Sequence, residues 1–172
     1  FFFYIDGVYT IIDMATAYGT SLGLNTTGLL LALLLTQIVA FPASLTFAVL
    51  SKTKDTASLI KVAIIAYFLI ALFAVQLDKQ WEFWVLAVAV GCFQGGIQAL
   101  SRSYFAKIIP ENASGEYFGL FDICGKGASF LGTMLMGVVT QITGKQNLGV
   151  AALSIMFVIG YLIFNKVSKM DD

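Results

Sequence analysis

An all-α integral membrane protein, folded as a bundle of six transmembrane helices, is the class this sequence predicts. Two observations carry that expectation. The 172 residues are 59% hydrophobic and 12% charged, against about 45–50% and about 25% in soluble globular domains. A soluble helical domain would alternate polar and apolar faces, whereas these helices stay apolar all round. The apolar residues also fall into six runs, each long enough, at about 1.5 Å per residue, to cross a hydrocarbon layer of about 30 Å.

The spans are expected near residues 1–21, 28–51, 58–77, 83–105, 115–142 and 147–165. The first opens on "FFFYIDGVYTIIDMA", an apolar stretch with carboxylates at Asp6 and Asp13. The second, "GLLLALLLTQIVAFPASLTFAVLS", carries no charge. The links "LGLNTT", "KTKDTA", "LDKQWE", "KIIPENAS" and "GKQN" are short and polar, so successive helices are antiparallel neighbours. Residues 1–172 form one six-helix domain with no soluble boundary or low-complexity linker.

Basic residues set the orientation. Lys52, Lys54, Lys61, Arg102, Lys107, Lys166 and Lys169 gather on one side, with only Lys79 and Lys145 on the other. That asymmetry puts both termini in the cytoplasm, in a cell (inner) membrane. Trp81 and Trp84 stand at the outer end of the fourth span, where amphipathic aromatics belong. The chain begins with Phe1 directly inside an apolar span, and no basic leader precedes it. This predicts a fragment of a longer polypeptide, with the missing part upstream.

There is no histidine and there are two cysteines, which excludes His-based triads and zinc sites with His ligands. Cys92 and Cys124 read as small apolar packing residues. No cofactor, no metal and no nucleic-acid partner are expected; the expected partners are the bilayer and a small solute. Two Asn-x-Ser/Thr patterns, at Asn25 and Asn112, fall on opposite sides of the membrane, so they cannot both be glycosylation acceptors.

Polar groups inside the spans carry the functional information, because an Asp, Lys or Arg at a helix centre costs about 2.5–3.5 kcal/mol on insertion scales. Asp6 and Asp13 lie two turns apart on one helix face. Either they form a protonatable or cation-binding face toward a central cavity, or they fix packing. Asp13 is nearer mid-depth, and Lys126 and the glutamines of the fourth span are its expected partners. In "GCFQGGIQALSRS", Gln94, Gln98 and Arg102 recur every four residues as a polar stripe. It lines a cavity with Arg102 as a gate, or it is packing glue with a snorkelling Arg102. Gly91 and Gly95 make a small-xxx-small pair for a close helix crossing. In "FGLFDICGKGASFLG", Asp122 and Lys126 stand at i and i+4, acid first, the favourable order for a helical ion pair. The pair is structural, or it is a charge switch that changes partner. The glycines of this span suit close packing or a hinge, and the sequence does not choose between them. Pro42 predicts a kink in the second span, next to Gln37, the one strongly polar side chain there.

"YIDGVYTIIDMATAYG", "FQGGIQALSRSYFAKIIP" and "GEYFGLFDICGKGASFLG" resemble the carboxy-terminal half of the vacuole-effluxer-like, autophagy-related permease branch of the major facilitator superfamily. The superfamily's loop signature Gly-x-Leu-x-Asp-Arg would fall on "AVLSKT", which lacks its Gly and its Asp-Arg pair. The resemblance implies twelve helices in the parent, of which this chain is similar to the last six, and a secondary transporter whose relatives are linked to amino-acid efflux. Alternating access needs two bundles around a midplane site. The chain alone is therefore expected to be transport-incompetent, or to pair with a second copy in a non-native dimer. The alternative class is a pore or scaffold bundle without coupled transport. An intramembrane enzyme is not expected, because Asp6 and Asp13 are too far apart on one helix to work as an acid–base pair.

Overall fold

The computed structural model describes residues 1–110 and 113–170; the Asn112 pattern lies outside the described residues. Among the described residues the chain forms seven helices and no strand: α1 (Phe2–Ser21), α2 (Thr26–Leu50), α3 (Thr56–Val75), α4 (Gln80–Ile108), α5 (Ser114–Lys126), α6 (Phe130–Thr143) and α7 (Gln146–Ser168).

Local chemistry sets the ends. The Asn25 side chain accepts from the Gly28 amide at 3.2 Å to open α2. Asp55 opens α3 by accepting from Ala57 and Ser58 amides at 3.3 and 2.8 Å. At the start of α4, Glu82 folds back onto the Asp78 and Lys79 amides at 2.9 and 3.1 Å. Each carboxylate or amide oxygen satisfies donors that a helix start leaves free. Gly23 (φ 77°) and Gly144 (φ 68°) supply the left-handed turns after α1 and α6, a conformation that costs glycine nothing.

Helices α2, α3, α4 and α7, and the combined segment Ser114–Thr143, are long and apolar enough to cross a membrane. Helix α1 is as long as α3, at 20 residues, but its Asp, Thr and Gly content leaves it outside that set. The result is an all-α membrane bundle. Helix α1 packs against every other helix and buries Tyr4, Ile5 and Val8, facing Tyr67 of α3 and Phe157 of α7, whose rings stack at 5.7 Å. Lipid tails are as apolar as leucine, so close packing and interhelical hydrogen bonds hold such helices together. Tyr4 and Ser101 join their hydroxyls at 2.8 Å between α1 and α4, Tyr18 donates to the Ala74 carbonyl at 2.8 Å, and Thr36 donates from α2 to the Ala87 carbonyl of α4 at 3.2 Å.

The crossing of α2 and α4 uses the small residues. A Cβ at Gly91 would lie 2.7 Å from the Thr36 carbonyl oxygen, and one at Gly95 2.8 Å from Ser44 Cβ. Helix α2 runs through Pro42 without interruption, and Thr46 donates its hydroxyl to the Pro42 carbonyl at 3.0 Å.

The fifth apolar run departs most from a six-helix reading. It is two helices, α5 and α6, parted at Gly127–Ser129, with Ser129 in the left-handed region at φ 78°. Their 13 and 14 residues give about 20 Å each, too short to span alone. The run "GKGAS" explains the break: glycine costs helix about 1 kcal/mol relative to alanine, and serine favours helix starts over interiors.

Candidate functional site

The break frees the first amides of α6 inside the bundle, where bare donors are expensive. Asp6 of α1 meets them. Its Oδ1 accepts from the Gly132 amide at 2.7 Å and its Oδ2 from the Leu131 amide at 3.1 Å, while Thr10 Oγ1 donates to Oδ1 at 3.4 Å. Asp6 has no exposed surface. A helix N-terminus carries the equivalent of about +0.5 charge, so the carboxylate is compensated by backbone dipoles rather than by a cation. Gly132 permits the approach: a Cβ there would run into Thr10 Oγ1 and Asp6 Oδ1.

Next to this junction a cleft of about 440 Å³ opens between α1, α4 and α5. Tyr9 lines it from α1, Gln98 and Arg102 from α4, and Phe121, Asp122 and Lys126 from α5. Arg102 Nη2 stands 3.7 Å from Asp122 Oδ1, with 60% and 48% of the two side chains exposed. A pair that open to solvent is weak, about 0–1 kcal/mol, and so can be broken and remade. The guanidinium also lies 5.5 Å from the centroid of Phe118. Phe121 is stacked between Phe1 at 4.0 Å and Phe105 at 4.7 Å, giving the cleft an aromatic wall beside its charges. The cleft therefore offers two cations, one carboxylate, an amide and a phenol to a small polar molecule.

The structure thus gathers Gln98, Arg102, Asp122 and Lys126 and rearranges the expected pairing. Asp122 reaches across to Arg102 rather than along its own helix to Lys126. Lys126 sits in the last turn of α5, where a cation complements the helix C-terminus. Asp13 is exposed, not buried against Lys126 or the glutamines, and among the described residues it forms no ion pair. It follows Tyr9 by one turn, so it continues the open face of α1 beyond the cleft. The two aspartates share a face but not an environment, because α6 begins beside Asp6 and covers it. Gln94 lies one turn from Gln98, away from the cleft, with its Oε1 buried and without a hydrogen-bond partner. Gln37 is exposed on α2. Tyr9, Phe1 and Phe121 escaped the sequence reading because aromatic residues in an apolar run carry no polar signal. Among the described residues no group of three or more Cys, Asp or Glu is placed to hold a metal ion.

The fold and the cleft define a helical membrane protein with one discontinuous span beside charged groups, a combination that occurs among solute transporters. The comparisons with known proteins narrow that class. Residues 1–170 match the family described as vacuole effluxer Atg22 like, and the chain belongs to that family. It is 45% identical over 163 residues to the MFS-type transporter YxiO of Bacillus subtilis (strain 168), covering 95% of this chain and 38% of that protein. It is also similar to autophagy-related protein 22 of Eremothecium gossypii, 33% identical over 95 residues, covering 55% of this chain and 19% of that one. The Candida glabrata protein of the same name is 35% identical over 92 residues, with 54% and 17% covered. The chain spans less than two-fifths of the length of these relatives. No solved structure matches it. The Bacillus subtilis relative is described as a transporter of the major facilitator type, and the matching family as one of vacuole effluxers.

Proposed function

We propose that this chain is the carboxy-terminal six-span half of a secondary transporter that moves a small polar solute by alternating access, with amino acids as the solute class. The observation that carries this reading is the cleft, where Arg102, Asp122 and Lys126 stand together beside Gln98 and Tyr9. Such a group pairs both charged ends of a zwitterion while the aromatic wall covers its apolar part. The family description, which names an effluxer, supports the same direction. Coverage of 38% of the Bacillus subtilis relative leaves room for the second bundle that rocking around a central site requires. The seven-to-two bias of basic residues argues for both ends of the chain facing the cytoplasm across the cell membrane.

Asp13, on the open face of α1, is the coupling carboxylate in this reading. The test is counterflow and pH-driven uptake of labelled amino acids by the full-length protein in proteoliposomes. Uptake of both kinds is expected in the native protein. Asp13→Asn is expected to retain exchange and lose uptake driven by a pH gradient, whereas unchanged pH-driven uptake removes Asp13 from the mechanism. Solute flux through liposomes holding only the 172-residue chain would refute the assignment as one half of a two-bundle carrier.

A further inference from the structure

The side of the bundle behind the cleft has a groove of its own. On α1, Tyr9 lines the cleft and Asp13 continues its open face, while Tyr4 and Val8 are buried on the opposite side of the helix. That buried side meets α7 and α3. Tyr4 lies edge-on to Phe164 at 6.1 Å, a Cβ at Gly7 would meet the Phe157 ring, and Phe157 stacks on Tyr67. Helices α3 and α7 therefore stand behind α1 as seen from the cleft. A second bundle that shares the cleft packs on the cleft side, which leaves the outer face of α3 and α7 to lipid. Along that face runs an apolar groove of about 150 Å³. Ile65 and Phe68 of α3 wall it on one side and Val158, Tyr161 and Leu162 of α7 on the other, with the fully buried Phe157 as its floor.

Helices α3 and α7 are the third and sixth spans, so they run antiparallel, and the first turn of α3 lies on the same side of the membrane as the last turn of α7. Lys61 stands one turn before Ile65, and Lys166 one turn after Leu162, each on the groove face of its helix. Asn165 follows Tyr161 by the same step, and Lys169 lies three residues beyond Lys166. Lys61 is half-buried and Lys166 exposed, as expected of stems that lie along apolar surface while their charges reach the interface. Neither forms an ion pair among the described residues. Asp55 feels the charge of Lys61, but its carboxylate is taken up by the first amides of α3, so this end of the groove keeps a net positive charge. From the continuity of apolar groove and paired ammoniums we infer that α3 and α7 form a site for one anionic phospholipid. An acyl chain lies in the groove, and Lys61 and Lys166 hold the phosphate, with the Asn165 amide as a further donor. Basic groups between membrane helices select anionic headgroups in this way, each ammonium near the surface favouring them by about fivefold. The inference rests on the two-bundle reading for the face that lipid reaches; the site itself needs no solute.

Native mass spectrometry of the full-length protein, delipidated in detergent, tests this with phosphatidylglycerol and phosphatidylcholine of identical acyl chains. One phosphatidylglycerol is expected to bind about 30-fold more tightly than phosphatidylcholine. Lys61→Gln and Lys166→Gln should each remove about fivefold of that preference, and together bring the two lipids within about twofold. Lys61→Arg with Lys166→Arg, which keeps both charges, is expected to retain the preference, as is Lys145→Gln at the opposite end of α7. Ile65→Trp fills the groove and leaves both lysines, so it should weaken the two lipids alike. Soluble glycerol phosphate should not compete, because it has no chain for the groove. The site is overturned by equal binding of the two lipids to the native protein, by a preference that survives the double Gln variant or vanishes in the double Arg variant, by competition from glycerol phosphate, or by a dimer that carries no lipid. Counterflow measured on the same protein separates this from the functional reading: counterflow without a lipid preference sinks the site alone, and a lipid preference without counterflow of any solute sinks the transport assignment alone.

Discussion

Asp6 and Gly132, 126 residues apart in sequence, meet at 2.7 Å through a carboxylate oxygen and a backbone amide. This contact closes α6 onto α1 and makes a break in a membrane span tolerable. It belongs to both helices, so either end is a point of attack.

Removing the acceptor strands the buried Gly132 amide and the part-buried Leu131 amide. Asp6→Ala is expected to cost roughly 2–3 kcal/mol, the penalty for unpaired buried donors, seen as a lowered melting temperature of the full-length protein in detergent. Asp6→Asn keeps one acceptor oxygen and should lose about half as much. Gly132→Ala attacks from the other side, because its methyl group would collide with Thr10 Oγ1 and Asp6 Oδ1; a cost of about 1–3 kcal/mol is expected. Gly137→Ala in the same helix meets open space and should be neutral or stabilising by up to about 1 kcal/mol. Equal melting of the Gly132 and Gly137 variants would contradict the packing described.

The α2–α4 crossing is also expected to be sensitive to added volume. At Gly91 the obstacle is the Thr36 carbonyl, a backbone atom that cannot rotate aside. Gly91→Ala should therefore destabilise by about 1–3 kcal/mol, and Gly91→Leu should prevent assembly of the bundle. Protease resistance of membranes expressing each variant reads the difference, and a fully resistant Gly91→Leu protein would show that the helices do not cross there.

Much of this was legible in the sequence, and what was not has a physical pattern. The apolar runs located the helices because a lipid-facing segment must be long and uncharged, whatever it packs against. The four-residue spacing of Gln98 and Arg102 put both on one face, and both line the cleft. Pairings between helices were a different matter. Asp122 and Lys126 have the spacing of an ion pair, yet Arg102 of another helix takes Asp122, because sequence spacing sees only neighbours on one helix. Depth singled out Asp13 over Asp6, but burial depends on which element covers the residue, and the start of α6 covers Asp6. The cue to that start was "GKGAS", whose glycines suited close packing or a hinge equally and which marks a helix end.

Asp55 makes the start of α3 sensitive to acid. The Ser58 amide foremost, then the Ser58 hydroxyl, the Ala57 amide and Lys61, hold its carboxyl below the ordinary value, against a smaller opposing effect of burial. A folded-state value below the unfolded one means that the cap stabilises α3 fully above the unfolded value. The contribution is then lost as pH falls through the folded value. Asp55→Ala is expected to cost about 1 kcal/mol near neutral pH and to melt like the native protein in strong acid, where both lack the ionised cap. A difference between the two that persists unchanged at low pH would sink this account.

Arg102 and Lys126 both point cations at the cleft, yet they should fail differently when neutralised. Arg102 is engaged with Asp122 and Phe118, so its charge is already partnered. Lys126 forms no ion pair among the described residues and is exposed at the cleft, so its ammonium is available to a solute carboxylate. A charged hydrogen bond of about 1.5–3 kcal/mol lost from both the bound ground state and the transition state raises KM without lowering the maximal rate. Lys126→Gln is therefore expected to raise the KM for amino-acid counterflow by about 10- to 100-fold, with the maximal rate within about twofold of native. Arg102→Gln is expected to raise the KM less, by up to about fivefold, because its charge is already shared with Asp122 in an exposed pair worth about 0–1 kcal/mol. Equal rises in KM for the two variants would mean that Lys126 is not the cation the solute depends on.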